Sequence, residues 1–398
     1  MTKGNELKPR IGLFGRRNAG KSSLVNYLTG QQVAIVSPTA GTTTDPVRKS
    51  MEIGGIGPVV LVDTAGIDDE GTLGAQRVEK SVAALAEVDL ALLLYTAWGD
   101  PEERVADWCQ RHGTPLLRIR SKADIHDNPD NTGHPDLTIT IKDPSLREAL
   151  VAAIKDKLPE SAYRGGTLLG DVVRQGDTVV LVTPIDSSAP EGRMILPQVQ
   201  VLRDVMDLHA TAIFCQPEEL ASTLAALREP PRLVVTDSQA FKAVNSTVPK
   251  DIELTSFSVV LARQKGLFAD YLRGTPTIGS LRDGDRVLML ESCTHNVTCE
   301  DIGRVKLPAA LQKATGKVLH FDMLAGGDDP TTLPHPIGDY ALVIQCGGCV
   351  ITAQQVKARL LPAIEAGVPV SNYGLALAWC TGIFQRTTNI FKDTYKNN

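Results

Sequence analysis

The stretch "IGLFGRRNAGKSSLVNYLTG", residues 11–30, decides how the first part of the chain folds. It opens on a short apolar run of strand character and closes on residues with helical spacing. Between them, Gly15 to Ser22 fit G-x-x-x-x-G-K-S, and strand–loop–helix is the context that pattern requires. Gly15 and Gly20 let backbone N–H groups close around phosphate oxygens. Lys21 reaches the β and γ phosphates, and Ser22 supplies an oxygen to Mg²⁺. Gly15, Arg16, Arg17, Asn18, Ala19, Gly20, Lys21, Ser22 and Ser23 are therefore the candidate phosphate site.

Outward from this loop, short apolar runs alternate with helical stretches as far as about Leu158. "VVLVDTAG", "DLALLLYTA" and "TPLLRIRSKAD" read as strands buried on both faces of a parallel sheet. "GAQRVEKSVAALAEV" and "PSLREALVAAIKDKL" have helical spacing, the second with Ser145 near its start. The expected fold is α/β, a doubly wound phosphate-loop domain over 8–160. "DTAG", 63–66, ends a strand where Asp63 meets Mg²⁺ through water and the Gly66 N–H meets the γ-phosphate. "GTTTD", 41–45, lies where a switch loop places a threonine on Mg²⁺. "SKAD", 121–124, resembles the N-K-x-D base motif of GTPases, which implies that Asp124 accepts two hydrogen bonds from guanine and the Lys122 stem covers the ring, with Ser121 in place of the longer Asn.

The chain has 398 residues, enough for two or three domains at roughly 100–200 residues each. A net charge of −5 and 5% aromatic residues argue against a nucleic-acid partner held by a strong positive field. No apolar run approaches the ~20 residues needed to cross a bilayer. "MTKGNELKPRIGLFG" shows neither the basic n-region nor the apolar h-region expected of a signal peptide. The expectation is a cytoplasmic protein with no membrane contact.

Two further α/β blocks are expected, at 175–265 and 266–398, both smaller than the first. The middle block carries no phosphate loop and no cluster of metal-ligating residues, which suits an association module. The last contains strands "DRVLMLESC" and "YALVIQCGGC", with "VPVSNYGLALAWCTGI" as a loop and a final helix. Four of the seven cysteines fall between 293 and 349, and an odd number scattered through such a chain is no disulfide framework. "ESCTHNVTCE" supplies Cys293, His295, Cys299 and Glu300; "QCGGC" supplies Cys346 and Cys349. Gly347 and Gly348 let two sulfurs turn toward one centre. Three thiolates, Cys293, Cys346 and Cys349, describe a [4Fe–4S] cluster with one labile iron about as well as a zinc site.

"GRRNAGKS", "GTTTD" and "DTAG" together resemble the GTPase domain of the tRNA-modifying and ribosome-assembly (TrmE-Era-EngA-like) branch. The resemblance implies Thr43 as the Mg²⁺ ligand beside Ser22 and Asp63, and Asn18 as a K⁺ ligand that neutralises transition-state charge. Lys21, Asn18, Thr43 and Gly66 would then carry a potassium-stimulated hydrolysis of GTP. Ile67 stands where many GTPases place a water-orienting Gln, so the intrinsic rate should be slow. Asp68, Asp69 and Glu70 are candidate replacements.

Taken at full length, through "CTH" to "CGGC", the chain resembles the [FeFe]-hydrogenase maturation GTPases, the HydF family. That resemblance implies a dimerising middle domain and a [4Fe–4S] cluster on Cys293, Cys346 and Cys349. It also implies a scaffold that carries the two-iron precursor of the hydrogenase cluster between two radical-SAM maturases and apo-hydrogenase. The family's histidine before the last cysteine pair is Gln345 here, so His295 or Glu300, or else water or a precursor ligand, is the candidate for the fourth position. The alternatives are a ribosome-assembly or tRNA-modification GTPase with a C-terminal zinc module, and a dithiol redox enzyme.

Overall fold

The structure, a computed structural model, describes residues 8–29, 47–68, 81, 84–125, 133–140, 142–159, 162, 167–184, 194–265, 267–292, 302–325, 333–348 and 351–392. The chain divides into two compact units, 1–165 with 352–359 and 166–351 with 360–398.

The first unit is built on a six-stranded sheet in the order β2-β3-β1-β4-β5-β6. Its strands are β1 (Arg10–Gly15), β2 (Val47–Ile53), β3 (Gly57–Asp63), β4 (Leu90–Tyr95), β5 (Leu116–Arg120) and β6 (Leu137–Thr138). β2 runs antiparallel to β3, and the other neighbours are parallel. Helices α1 (Lys21–Thr29), α2 (Asp100–His112) and α3 (Leu146–Lys157) belong to this unit.

Alternation along each strand divides the core into two layers. Ile11, Leu13, Leu92 and Leu94 pack with Leu24 and Leu28 of α1 and Leu150 and Ile154 of α3. Phe14 and Leu93 pack on the other face with Val105 and Cys109 of α2. Strand β4 is buried along its whole length, as the expectation of a two-sided parallel strand requires.

β5 differs from that expectation, because its buried residues alternate with half-buried Arg118 and Arg120. Among the described residues only the two-residue β6 covers its outer side, and Arg118 is answered there by Asp136 at 3.3 Å. Ser145 does not cap α3 through its side chain. Instead Asp143 Oδ1 accepts both its N–H, at 2.9 Å, and its hydroxyl, at 2.6 Å. Of the helix expected over 74–88, positions 81, 84 and 85 are helical, and most of the rest lies outside the described residues. Strand β2, "VRKSMEI", has no apolar run to announce it, since it is a largely exposed edge.

The second unit holds two parallel four-stranded sheets, ordered β10-β9-β7-β8 and β12-β11-β13-β14. The first contains β7 (Thr178–Val182), β8 (Thr211–Cys215), β9 (Leu233–Thr236) and β10 (Glu253–Ser256). The second contains β11 (Arg286–Leu290), β12 (His320–Leu324), β13 (Leu342–Gln345) and β14 (Val370–Asn372). The intervening helices are α4 (Leu196–Asp207), α5 (Leu220–Ala226), α6 (Phe241–Thr247), α7 (Phe257–Gln264), α8 (Phe268–Gly274) and α9 (Leu307–Thr315). Helix α10 (Ala353–Glu365) begins in the 352–359 segment of the first unit and ends in the second, where α11 (Tyr373–Cys380) and α12 (Phe384–Thr388) follow.

The segment "VSN", expected as loop, is instead β14, three buried residues paired with β13. The end of the chain returns to the middle sheet. Thr255 Oγ1 of β10 donates to Thr387 O at 2.9 Å, and Arg386 reaches the carbonyl oxygens of Val248 and Pro249. No helix among the described residues is long and apolar enough to cross a membrane.

Candidate functional site

The phosphate loop follows directly from β1. Gly15 sits at φ 147°, and a Cβ there would lie 2.3 Å from Leu94 O, so no larger residue fits. Asn18 and Gly20 also take positive φ, 60° and 102°. These turns bring Ala19 N–H onto Arg16 O at 3.2 Å and start α1 with Leu24 N–H on Gly20 O at 2.8 Å. Lys21 Nζ donates to Gly15 O at 2.6 Å and Arg16 O at 3.0 Å, bridging two carbonyls of its own loop. Ser22 and Ser23 lie half-buried in the first turn of α1. The Arg16 side chain forms a two-pronged bond with Glu102 at 2.8 and 2.7 Å. Glu102 is fully buried in the first turn of α2, and its carboxylate pushes the guanidinium further up.

β3 delivers the second part. Asp63 is its last residue, where burial pushes the carboxyl up while Lys21 and Lys49 pull it back. Thr64 Oγ1 donates to Leu13 O at 2.7 Å, locking the turn to β1. Ile67 N–H donates to Gly15 O at 3.3 Å, and Asp68 Oδ1 accepts Arg17 N–H at 2.8 Å. Gly66 has no room for a side chain, because a Cβ would meet Arg17 Cγ at 2.7 Å. Thr43, Asp69 and Glu70 lie outside the described residues.

The segment expected to read the base leaves β5 at Ser121. Its hydroxyl is buried and donates to Ala19 O at 2.7 Å, with Tyr95 O at 3.3 Å. This short side chain therefore ties the segment to the phosphate loop. Lys122 follows at φ 56°. Asp124 is exposed, and its carboxylate is held below the usual range by Lys142 at 2.7 Å and the Thr140 hydroxyl at 3.0 Å.

In the second unit, three neighbouring strands bring their carboxyl ends together. Ser292 follows β11, Cys346 follows β13 and Asn372 ends β14. The chain leaves β11 toward β12 on one side and returns to β13 on the other. That reversal is where open α/β sheets bind ligands. Ser292 N–H donates to Cys346 Sγ at 3.1 Å, and Asn372 Nδ2 donates to Cys346 O at 3.3 Å. Gln345 is fully buried, with Nε2 2.8 Å from Ser292 Oγ. Glu291, also buried, pairs with Arg304 at 2.8 Å. Among the described residues no three His, Cys, Asp or Glu side chains gather as a metal site. Cys293, His295, Cys299, Glu300 and Cys349 lie outside the described residues.

Residues 168–266 match the Hydrogen maturase F dimerization domain and 269–390 the Hydrogen maturase F tetramerization domain. Residues 10–122 match the 50S ribosome-binding GTPase family. The chain belongs to the hydrogen maturase F family.

The HydF-family chain is also similar to bacterial GTPases. It is 36% identical to the tRNA modification GTPase MnmE of Nitrosomonas europaea, over 36% of this chain and 34% of that protein. It is 38% identical to GTPase Der of Wolinella succinogenes, over 29% of this chain and 26% of that protein. It thus spans only about a quarter to a third of these relatives' own length. Era of Aquifex aeolicus bound to GDP.AlF4- aligns with a TM-score of 0.34 at 20% identity, over 53% of this chain and 93% of that one.

Four residues of the HydF-family chain enter the two sites without a sequence signal of their role. Glu102 looks like an ordinary first-turn acid of α2, and only its burial under Arg16 sets it apart. Ser121 is a departure from a motif, and its bond to Ala19 is long-range. Ser292 and Gln345 are polar residues at strand ends that meet only once β11 and β13 pair.

Proposed function

We propose that this HydF-family chain is a GTP-hydrolysing switch joined to an iron–sulfur scaffold that assembles or delivers the two-iron precursor of the [FeFe]-hydrogenase active site. Its working parts are a GTPase domain over 8–160, a dimerisation domain over 175–265 and a cluster domain over 266–398. The protein would act in the cytoplasm with the radical-SAM maturases and apo-hydrogenase as partners. No nucleic acid takes part.

In the switch, the backbone N–H groups from Gly15 to Ser23 bind the nucleotide phosphates, and Lys21 leaves its two carbonyls to reach them. Ser22, Thr43 and Asp63 hold Mg²⁺, Asn18 holds K⁺, and Gly66 N–H meets the terminal phosphate. The cations neutralise charge that builds on the phosphoryl oxygens. Lys122 and Asp124 read the base, and the Ser121 hydroxyl keeps that segment fixed to the loop. Ile67 is apolar and buried, so it cannot orient water, and hydrolysis is slow.

In the scaffold, Cys346, Cys349 and Cys293 hold a [4Fe–4S] cluster, with His295 or Glu300 near its fourth position. The cluster supplies an iron able to take an incoming ligand. The residues present fit such a group. Cys346 Sγ already accepts a backbone N–H, as cluster sulfurs do, from the residue next to Cys293. A Cβ on Gly347 would meet nothing within 4 Å, and Gly348 turns at φ 61°. The Ser292 to Cys346 bond, at the reversal point of a sheet in a hydrogen maturase F domain, is the observation that carries this reading.

The test is anaerobic reconstitution with iron and sulfide, followed by iron, sulfide and zinc analysis per chain. About four irons and four sulfides, lost in Cys346→Ala but kept in Lys21→Ala, is the expected result. Stoichiometric zinc without sulfide would overturn the scaffold and favour an RNA-linked GTPase with a zinc module.

A further inference from the structure

Gln345 is an expensive residue at its position. It is fully buried, and its Oε1 has no hydrogen-bond partner among the described residues. An orphaned buried acceptor costs about 1–3 kcal/mol relative to a satisfied one. Packing alone would be better served by an apolar side chain of the same shape.

The amide's orientation is fixed by its surroundings. Nε2 lies 3.3 Å from Cys346 O, an oxygen that only accepts, so the nitrogen and not the oxygen faces that side. The same Nε2 donates to Ser292 Oγ at 2.8 Å and stands 3.4 Å from Cys346 Sγ. Ser292 Oγ is itself 2.9 Å from Cys346 Sγ. A hydroxyl has one proton and two lone pairs. With Gln345 donating into one lone pair, the remaining partner in reach among the described residues is the sulfur. While Cys346 is a thiol, its S–H donates to Ser292 Oγ. Once Cys346 is a metal-bound thiolate, that donor is gone and the Ser292 proton turns to the sulfur. Two donors then converge on the sulfur, Ser292 N–H and Ser292 O–H, and the second Gln345 N–H is shared between Cys346 O and Cys346 Sγ.

We propose that Gln345, resting on the cluster reading above, is a positioning residue that aims Ser292 and its own amide at Cys346 Sγ and so raises the reduction potential of the cluster held there. Hydrogen bonds to a cluster sulfur withdraw electron density and favour the reduced form. Gln345 is in this view not a ligand of iron, although it stands next to one.

The experiment is an EPR-monitored redox titration of the anaerobically reconstituted full-length protein, with iron and sulfide assayed in each sample. Gln345→Met keeps the side-chain volume and removes every donor, and Gln345→Leu repeats the test should methionine crowd the strand. Ser292→Ala removes the relay. The expected result is full iron and sulfide with a potential shifted negative in all three. Adding Gln345→Met to Ser292→Ala should shift it less than in the wild-type background. An unchanged potential at full iron content would overturn the inference. So would loss of a single iron in Gln345→Met, which would make Gln345 a ligand. If the wild-type protein itself held no iron and sulfide, the cluster reading would fall, and this inference with it.

Discussion

Asp68 Oδ1 accepts the backbone N–H of Arg17 at 2.8 Å, so a carboxylate from the segment after β3 sits on the phosphate loop. P-loop N–H groups serve to bind phosphate oxygens. An anionic side chain on one of them competes with the nucleotide for that donor and repels its charge. Asp68→Ala should therefore tighten GTP binding by roughly fivefold, the effect of about 1 kcal/mol from one hydrogen bond. Stopped-flow fluorescence with a labelled nucleotide would read this as faster association. Association no faster than in the wild-type protein would show that the contact breaks at no cost.

Ser121 presents a second long-range tie, its buried hydroxyl donating to Ala19 O at 2.7 Å. Ser121→Ala leaves a loop carbonyl without this donor at a cost of about 1–3 kcal/mol. Both the base segment and the phosphate loop then lose their common anchor. Calorimetric titration with GTP is expected to give an affinity weaker by about tenfold, with a lowered Tm. Full affinity in Ser121→Ala would mean that Lys122 and Asp124 hold their places without the tie.

Much of the fold was legible because the chain announces it locally. β1, α1 and the turn at Gly15 and Gly20 follow from one short motif, and β4 from an unbroken apolar run. What escaped was either polar or short. β2 is an exposed edge whose pairing with β3 supplies what its side chains do not, and β14 is three residues stabilised by lying beside β13. The sites divide in the same way. Lys21 and Asp63 are fixed by motif, while Glu102, Ser121, Ser292 and Gln345 gain their roles from partners more than fifty residues away.

Asp63 gives a pH-dependent prediction. Burial raises its folded carboxyl above the ordinary value, and Lys21 and Lys49 only partly offset this. A raised carboxyl contributes stability that is full below the unfolded value and is lost as pH rises through the folded one. Near neutral pH the nucleotide-free protein thus carries a destabilising buried charge, worth about 1.4 kcal/mol for each unit of the rise. Asp63→Asn should raise the Tm of the nucleotide-free protein, by an amount that grows as pH rises from the ordinary carboxylate range through the raised value and is constant above it. The same variant should lose the Mg²⁺ dependence of GTP binding. A Tm gain no larger near neutral pH than below the ordinary carboxylate value would sink the electrostatic account.

Among the described residues the middle sheet ends in an open edge at β8, where Phe214 is 38% exposed. Helix α4 packs beside that strand and leaves Met206 57% and Val199 44% exposed. An unpaired strand edge offers a row of backbone donors and acceptors to a second copy. Apolar side chains beside it supply the area that backbone pairing alone lacks, against the roughly 800 Å² per partner of a stable interface. This edge falls within the hydrogen maturase F dimerization domain. Phe214→Lys with Met206→Lys places two charges on the patch without touching the core. Size-exclusion chromatography with light scattering should then report a monomer at micromolar concentration, with the Tm of the isolated fold nearly kept. A dimer that survives both lysines would move the interface to another face of the second unit.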